Sequence, residues 1–169
     1  MASNTFTLIS SVIVGAGGAA NIEFTSIPAT YTDLLLSLSS RSTQTQANGG
    51  AAAYVGFNTY ATAATSRALR GQGSGSPASF TDNQFVINAS DFTASTFGNA
   101  YIYIPNYAGS NAKSFSVDSV SENNATLAEA QFNAQLWNVT SAITSIKITP
   151  VGGNFAQYST AYLYGIKNS

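Results

Sequence analysis

Two neighbouring runs of strict alternation constrain this chain more than any other feature. Tyr101-Ile102-Tyr103-Ile104 and Ser114-Phe115-Ser116-Val117-Asp118-Ser119-Val120 change character at every step, and Pro105, Asn106, Gly109, Ser110 and Asn111 supply turn residues between them. A period of two sends successive side chains to opposite faces of a sheet, which a helix cannot do. The segment Phe97–Thr126 therefore reads as a β-hairpin with Phe115 and Val117 on one face. Its alternating Ile and Tyr residues divide between a sandwich core and an exposed or subunit-facing surface.

The same grammar runs along the chain. Strands are expected at Thr5–Ile9 continuing through Val12–Val14, at Asn21–Phe24, and at Leu34–Leu38, where three leucines share a face. Further strands follow at Ala53–Phe57, Arg67–Arg70, Gln84–Ile87, Ile143–Thr149 and Ser159–Ile166. Ala130–Trp137 has the cleanest alternation, with Phe132, Ala134 and Leu136 on one side and Gln131, Asn133 and Gln135 on the other. Loops are expected at Ser42–Gly50, ending in Asn48-Gly49-Gly50, and at Gly71–Pro77, while Asn124–Ala130 has the composition of a short helical turn. Many short strands separated by turn residues, with no amphipathic helix, predict an all-β fold. For 169 residues, the expected architecture is one domain over 1–169, an antiparallel jelly-roll-like β-sandwich of about 8–10 strands.

Composition narrows function by exclusion. The chain has no Cys and no His, so disulfides, thiolate chemistry and the commonest general base and metal ligand are all missing. Charged residues are only 8% of the chain and its six basic residues are dispersed, which argues against nucleic-acid binding. No apolar stretch approaches the roughly 18 residues of a membrane-spanning helix, and the N-terminus lacks a basic region before an apolar core. With a net charge of −1 and a surface of Ser, Thr, Asn and Gln, long-range self-repulsion is weak. Such a surface suits a protein that sits against copies of itself or a partner.

The motif-like stretches read as structure. Gly15-Ala16-Gly17-Gly18-Ala19-Ala20 fits a loose dinucleotide pattern, but strand and turn residues follow where a phosphate-binding helix is required. Arg67 and Arg70 beside the glycine-serine loop read as a solvated strand end rather than an anion contact. Asp118 and Glu122 are the one carboxylate pair close enough in sequence to suggest a glycosidase, and a solvated edge explains them better. No calcium-loop spacing occurs, although a lectin-like jelly roll can bind sugars through aromatic stacking alone. The triplets at Asn88, Asn124 and Asn138 fit the glycosylation sequon by chance in so Asn-, Ser- and Thr-rich a chain. The nine Tyr and ten Phe are the stronger signal. Core packing accounts for many, and Tyr101, Tyr103, Tyr107, Tyr162 and Tyr164 are the candidate subunit interface, because tyrosine combines contact area with a polar tip.

The phrases ASNTFTLISS, GAGGAANIEFTSIPATYTDLLLSLSSRS, TASTFGNAYIYIPNYAGSNAKSFSVDSVSENNAT and YSTAYLYGIKNS resemble a family of small virion-associated proteins of tailed bacteriophages. The resemblance spans nearly the whole chain and is weakest over Ala47–Asn88. It implies a non-enzymatic virion structural protein without cofactors, located on the capsid surface or in the tail or a fibre. A capsid decoration or cement protein would oligomerise, often as a homotrimer, and contact the major capsid protein or other virion proteins. A tail or head fibre would instead bind host surface glycans and usually carry a separate anchor. The strands expected from about Thr5 to near the C-terminus leave no anchor segment here, which favours decoration. A carbohydrate-binding module or polysaccharide hydrolase is the remaining alternative.

Overall fold

The computed structural model describes residues 5–46, 49–58 and 65–167. Asn48 of the expected Asn48-Gly49-Gly50 loop lies outside them. Among the described residues twelve strands form, in chain order β1 (Phe6–Ile13), β2 (Ile22–Phe24), β3 (Asp33–Ser40), β4 (Ala51–Phe57), β5 (Thr65–Gln72) and β6 (Ala78–Phe80). They are followed by β7 (Gln84–Ile87), β8 (Gly98–Ile104), β9 (Lys113–Glu122), β10 (Ala128–Trp137), β11 (Ile146–Pro150) and β12 (Thr160–Ile166). Among the described residues there is no helix.

The strands make two antiparallel sheets, ordered β1-β12-β3-β8-β9-β10-β5-β6 and β2-β11-β4-β7. Four pairs nest inside one another along the chain: β1 with β12, β2 with β11, β3 with β8 and β4 with β7. A long hairpin rolled up so that successive pairs alternate between two sheets produces this nesting, which makes the fold a jelly roll. The hairpin β9–β10 and the strands β5–β6 are additions to that frame. They widen one sheet to eight strands while the other keeps four.

The core lies between the sheets. Leu34, Leu36 and Leu38 of β3, Ala100, Ile102 and Ile104 of β8, and Phe115 and Val117 of β9 all point into it. They meet Ile22, Phe24, Val55, Phe57, Ile146 and Ile148 of the smaller sheet. Phe57 packs edge-on against both Phe115 and Trp137, with ring centroids at 5.0 and 5.5 Å. Edge-to-face packing sets the electron-poor rim of one ring on the electron-rich face of the next.

Three expectations change. The strand count is twelve rather than about 8–10, because every one of the eleven expected segments forms a strand and short β6 also pairs, at Ala68↔Phe80 through Arg70↔Ala78. The turn between Glu122 and Ala128 is a tight strand connection, not a helical turn. Asn124 takes φ 56, Asn123 Oδ1 accepts from the backbone N–H of Ala125 and Leu127, and Ala128 already opens β10. The strand expected at Ile143–Thr149 begins only at Ile146. Ahead of it Asn58 side-chain Oδ1 takes the backbone N–H groups of Thr144 and Ser145 that a ladder would otherwise use.

Candidate functional site: the outer face of the large sheet

Burial shows which side of the eight-stranded sheet is free. Along β8 the residues alternate between buried Ala100, Ile102 and Ile104 and exposed Tyr101 and Tyr103. The register then aligns outward-facing positions, exposed or half-buried, in rows across neighbouring strands. One row runs Ser11, Tyr162, Ser37, Tyr101, Asp118, Phe132, Leu69. The next runs Leu8, Tyr164, Leu35, Tyr103, Ser116, Ala134, Arg67. Apolar and aromatic residues thus cover much of a surface on which nothing among the described residues is packed. Phe132 is 47% exposed, Leu69 58% and Tyr101 50%. Only Arg67, Asp118 and Glu122 put exposed charges on these strands' outward positions.

Strand β10 explains how so apolar a face arises. Its polar side chains are turned inward: Glu129, Gln131, Asn133 and Gln135 are buried, while Ala130, Phe132 and Ala134 are exposed. The amide nitrogens of the three inward side chains are occupied, while Gln135 Oε1 is left without a hydrogen-bond partner among the described residues. Gln131 Nε2 donates to the Gln84 carbonyl at 2.7 Å and to Asn133 Oδ1 at 3.1 Å. Asn133 Nδ2 donates to the carbonyls of Asp82 and Gln84, and Gln135 Nε2 to that of Asn83. Where the chain enters β7, the carbonyls of Asp82, Asn83 and Gln84 take their donors from the amides of β10, as burial demands. Alternation read from sequence identifies two faces but not which is inside. The partner of this polar row, the segment Asp82–Gln84, lies some 50 residues away and leaves no local trace.

Of the five candidate interface tyrosines, four lie on the outer face: Tyr101, Tyr103, Tyr162 and Tyr164. Tyr107 does not. It is fully buried, its hydroxyl donates to the Pro28 carbonyl and accepts the Tyr31 N–H at 3.4 Å. The turn after β8 folds it back over the end of the core, so it offers no surface to a subunit. Burial pushes its pKa up. Tyr103 is anchored as well as exposed, its hydroxyl donating to Asp33 Oδ2 at 2.7 Å. The second oxygen of Asp33 accepts from Asn106 N–H at 2.8 Å. This hydrogen bond, with burial and the carboxylate charge behind it, raises the Tyr103 pKa.

Two depressions open on either side of β5 and β10. On the outer face a groove of about 530 Å³ is lined by Leu69, Pro77, Ala78, Ala130 and Phe132, with Asp118 beside it. On the inner side a polar cleft of about 370 Å³ is lined by Gln46, Arg70, Asp82, Gln84, Glu129 and Gln131 among others. Glu129 is 2% exposed, and its carboxylate is held by Arg70 Nη1 at 3.2 Å and by the Gly50 N–H at 2.9 Å. Arg70 also stacks on the Phe80 ring, 4.8 Å from its centroid. Arg70 thus faces the cleft and Arg67 the outer sheet surface, so the two form no common anion site. Sequence reading missed Glu129 because its two partners lie 59 and 79 residues away.

The remaining motif-like stretches resolve into structure. Asp118 and Glu122 lie four residues apart on one face of β9, which sets their Cα atoms about 13 Å apart, too far to share a catalytic proton. Glu122 Oε1 instead accepts the Asn124 N–H. Gly15–Gly18 is a turn, with Gly18 at φ 71 and its N–H on the Gly15 carbonyl. The Asn88 side chain is buried and bonded to Thr96 and Ser121, unlike an exposed sequon. Among the described residues no three His, Cys, Asp or Glu side chains are placed to hold a metal ion. No known protein family matches the chain, and no curated protein matches it.

Proposed function

We propose that this chain is a non-catalytic structural subunit of a tailed-bacteriophage particle, a capsid decoration protein that sits against its neighbours through the outer face of its eight-stranded sheet. The observation that carries the reading is the facing of β10, which buries Gln131 and Asn133 while leaving Phe132 exposed. A free monomer gains nothing from that arrangement on its solvent side, whereas a subunit in contact with a protein surface does. Scale supports it too. Eight strands at about 4.8 Å spacing and some seven residues tall give roughly 750 Å² per chain, so a contact of this size would bury about 1,500 Å², the size of a stable interface. The virion setting comes from the resemblance of the hairpin and terminal phrases, and with it the homotrimer and the major capsid protein as partners.

A second reading, a tail or head fibre that binds host glycans, draws on the polar cleft beside Glu129, whose amides and carboxylates would suit sugar hydroxyls. Copy number in purified virions separates the two. Decoration requires hundreds of copies and density over the whole shell in a particle reconstruction. A few dozen copies confined to the tail would reject decoration in favour of the fibre.

A further inference from the structure

A sheet edge with unpaired backbone groups templates another strand, and folded proteins normally blunt such edges with charge, proline or shortness. Three of the four edges here are blunted. β2 and β6 have three residues each and β7 has four. β1 is different: eight residues long, with no charge and no proline in Phe6-Thr7-Leu8-Ile9-Ser10-Ser11-Val12-Ile13. It pairs on one side with β12, and among the described residues no strand pairs with its other side. Phe6, Leu8 and Ile13 are 53, 51 and 67% exposed.

The bulge in β1 identifies the partner. Register with β12 shifts between Leu8 and Ser10. Phe6 and Leu8 pair with Ile166 and Tyr164, and Ser11 and Ile13 with Tyr162 and Thr160, so all four point outward. Thr7 and Val12, opposite Gly165 and Ala161, point inward. In a regular strand residues 6 and 13 would face opposite ways, because their separation is odd. The extra residue brings them onto one face and makes the strand's facing symmetric about the Ile9-Ser10 bond. A strand with that symmetry matches its own copy run antiparallel: Phe6 meets Ile13, Leu8 meets Ser11 and Thr7 meets Val12, each pair on a common face.

We infer that β1 is a self-recognition edge, pairing antiparallel with β1 of a second copy about a two-fold axis through Ile9-Ser10. Two eight-stranded sheets then join into one, and the apolar outer face continues across the junction. The absence of charge from β1 means that no like charges meet across it, and an isologous contact of this kind closes on itself. Its unit is a pair of chains, whatever larger oligomer the outer face builds. The contact needs backbone pairing at the edge, not burial of the outer face, so it stands apart from the decoration reading.

The register makes the test specific. Phe6→Glu and Ile13→Lys each replace an exposed residue, so the monomer should keep its circular dichroism and melting temperature. Each change occurs twice in the pair, and each alone should weaken dimerisation in sedimentation equilibrium roughly tenfold or more. The double variant Phe6→Glu, Ile13→Lys sets opposite charges against each other across the axis and should regain most of the lost affinity. Amide exchange in the unmodified protein should show β1 protected in step with concentration. A protein that stays monomeric at hundreds of micromolar overturns the inference. So does an oligomer indifferent to both single changes, or a double variant as weak as the singles. An outer-face variant, Tyr101→Glu, should leave the β1 pair intact while reducing attachment to virions, so the two readings fail separately.

Discussion

Gln131 and Phe132 are consecutive on β10, yet the glutamine is 3% exposed and the phenylalanine 47%. The amide is enclosed because it has a carbonyl to reach, that of Gln84 at 2.7 Å, and the ring is outside because the pleat leaves it nowhere else to go. A buried amide with its partners in place costs little, whereas a buried carbonyl deprived of its donor costs the full desolvation penalty.

That asymmetry orders the first pair of variants. Asn133→Ala removes the donors to Asp82 and Gln84 and the acceptor of Gln131, and should destabilise the fold by about 2 kcal/mol. Phe132→Ser, two strand faces apart in consequence though adjacent in sequence, should change stability by less than about 0.5 kcal/mol as an exposed position. Urea denaturation of both variants at neutral pH measures the difference, and a Phe132→Ser variant as unstable as Asn133→Ala would mean that the ring is packed within the monomer.

Lys113 is a buried cation that, among the described residues, pairs with no carboxylate. It is 1% exposed, its ammonium donates to the carbonyls of Gly109, Thr140 and Ser141 at 2.6, 3.0 and 2.6 Å, and it sits 5.7 Å from the Trp137 ring centroid. It ties the β8–β9 turn to the segment after β10. Lys113→Met keeps the length and leaves three carbonyls without their donor, which should lower stability by about 3 kcal/mol. Thermal unfolding should shift down by many degrees, and an unchanged melting temperature would show that water replaces the ammonium at no cost.

Titration of Tyr103, whose hydroxyl is held by Asp33, gives an alkaline signature. The hydrogen bond to Asp33 raises the native Tyr103 pKa above its ordinary 10.0, so the folded state holds the phenolic proton more tightly than the unfolded chain. Its contribution is complete below pH 10 and is lost as pH rises through the higher native value. Burial raises Tyr107 as well and works in the same direction. Lys113 is lowered by burial, so its contribution grows with pH up to its ordinary 10.5 and opposes them. Comparing Tyr103→Phe with the unmodified protein cancels both. Between pH 8 and pH 11 the stability gap should narrow, and a gap that stays constant would detach Tyr103 from the alkaline loss.

Much of this was legible in the sequence and part of it was not, for physical reasons. The β8–β9 hairpin, the leucine row of β3 and the division of Ile102 and Ile104 from Tyr101 and Tyr103 follow from period-two alternation, a purely local property. Tyr107 belongs to a turn, where alternation says nothing, and a distant carbonyl at Pro28 decides its burial. The facing of β10 depends on amide partners far away in the chain. The bulge at Leu8 and Ser10 is equally silent, since no residue in Leu8-Ile9-Ser10 demands it and only the pairing with β12 reveals it.

Arg41 closes the loop between β7 and β8 in a similarly nonlocal way. Its Nη1 donates to the carbonyls of Thr93 and Thr96 at 2.7 and 3.1 Å, and its Nη2 to those of Ser90 and Phe92 at 2.7 and 2.8 Å. A planar fork with fixed donor directions serves four carbonyls at once, which a lysine ammonium cannot reproduce. Arg41→Lys should therefore free residues 90–96 without unfolding the sandwich, costing about 1 to 2 kcal/mol. Amide exchange across residues 90–96 should quicken while β3 and β8 stay protected. Equal exchange in both proteins would mean that the loop holds its shape through Thr93 Oγ1 on the Asn123 carbonyl and Asn88 on Thr96, with the guanidinium only resting on it.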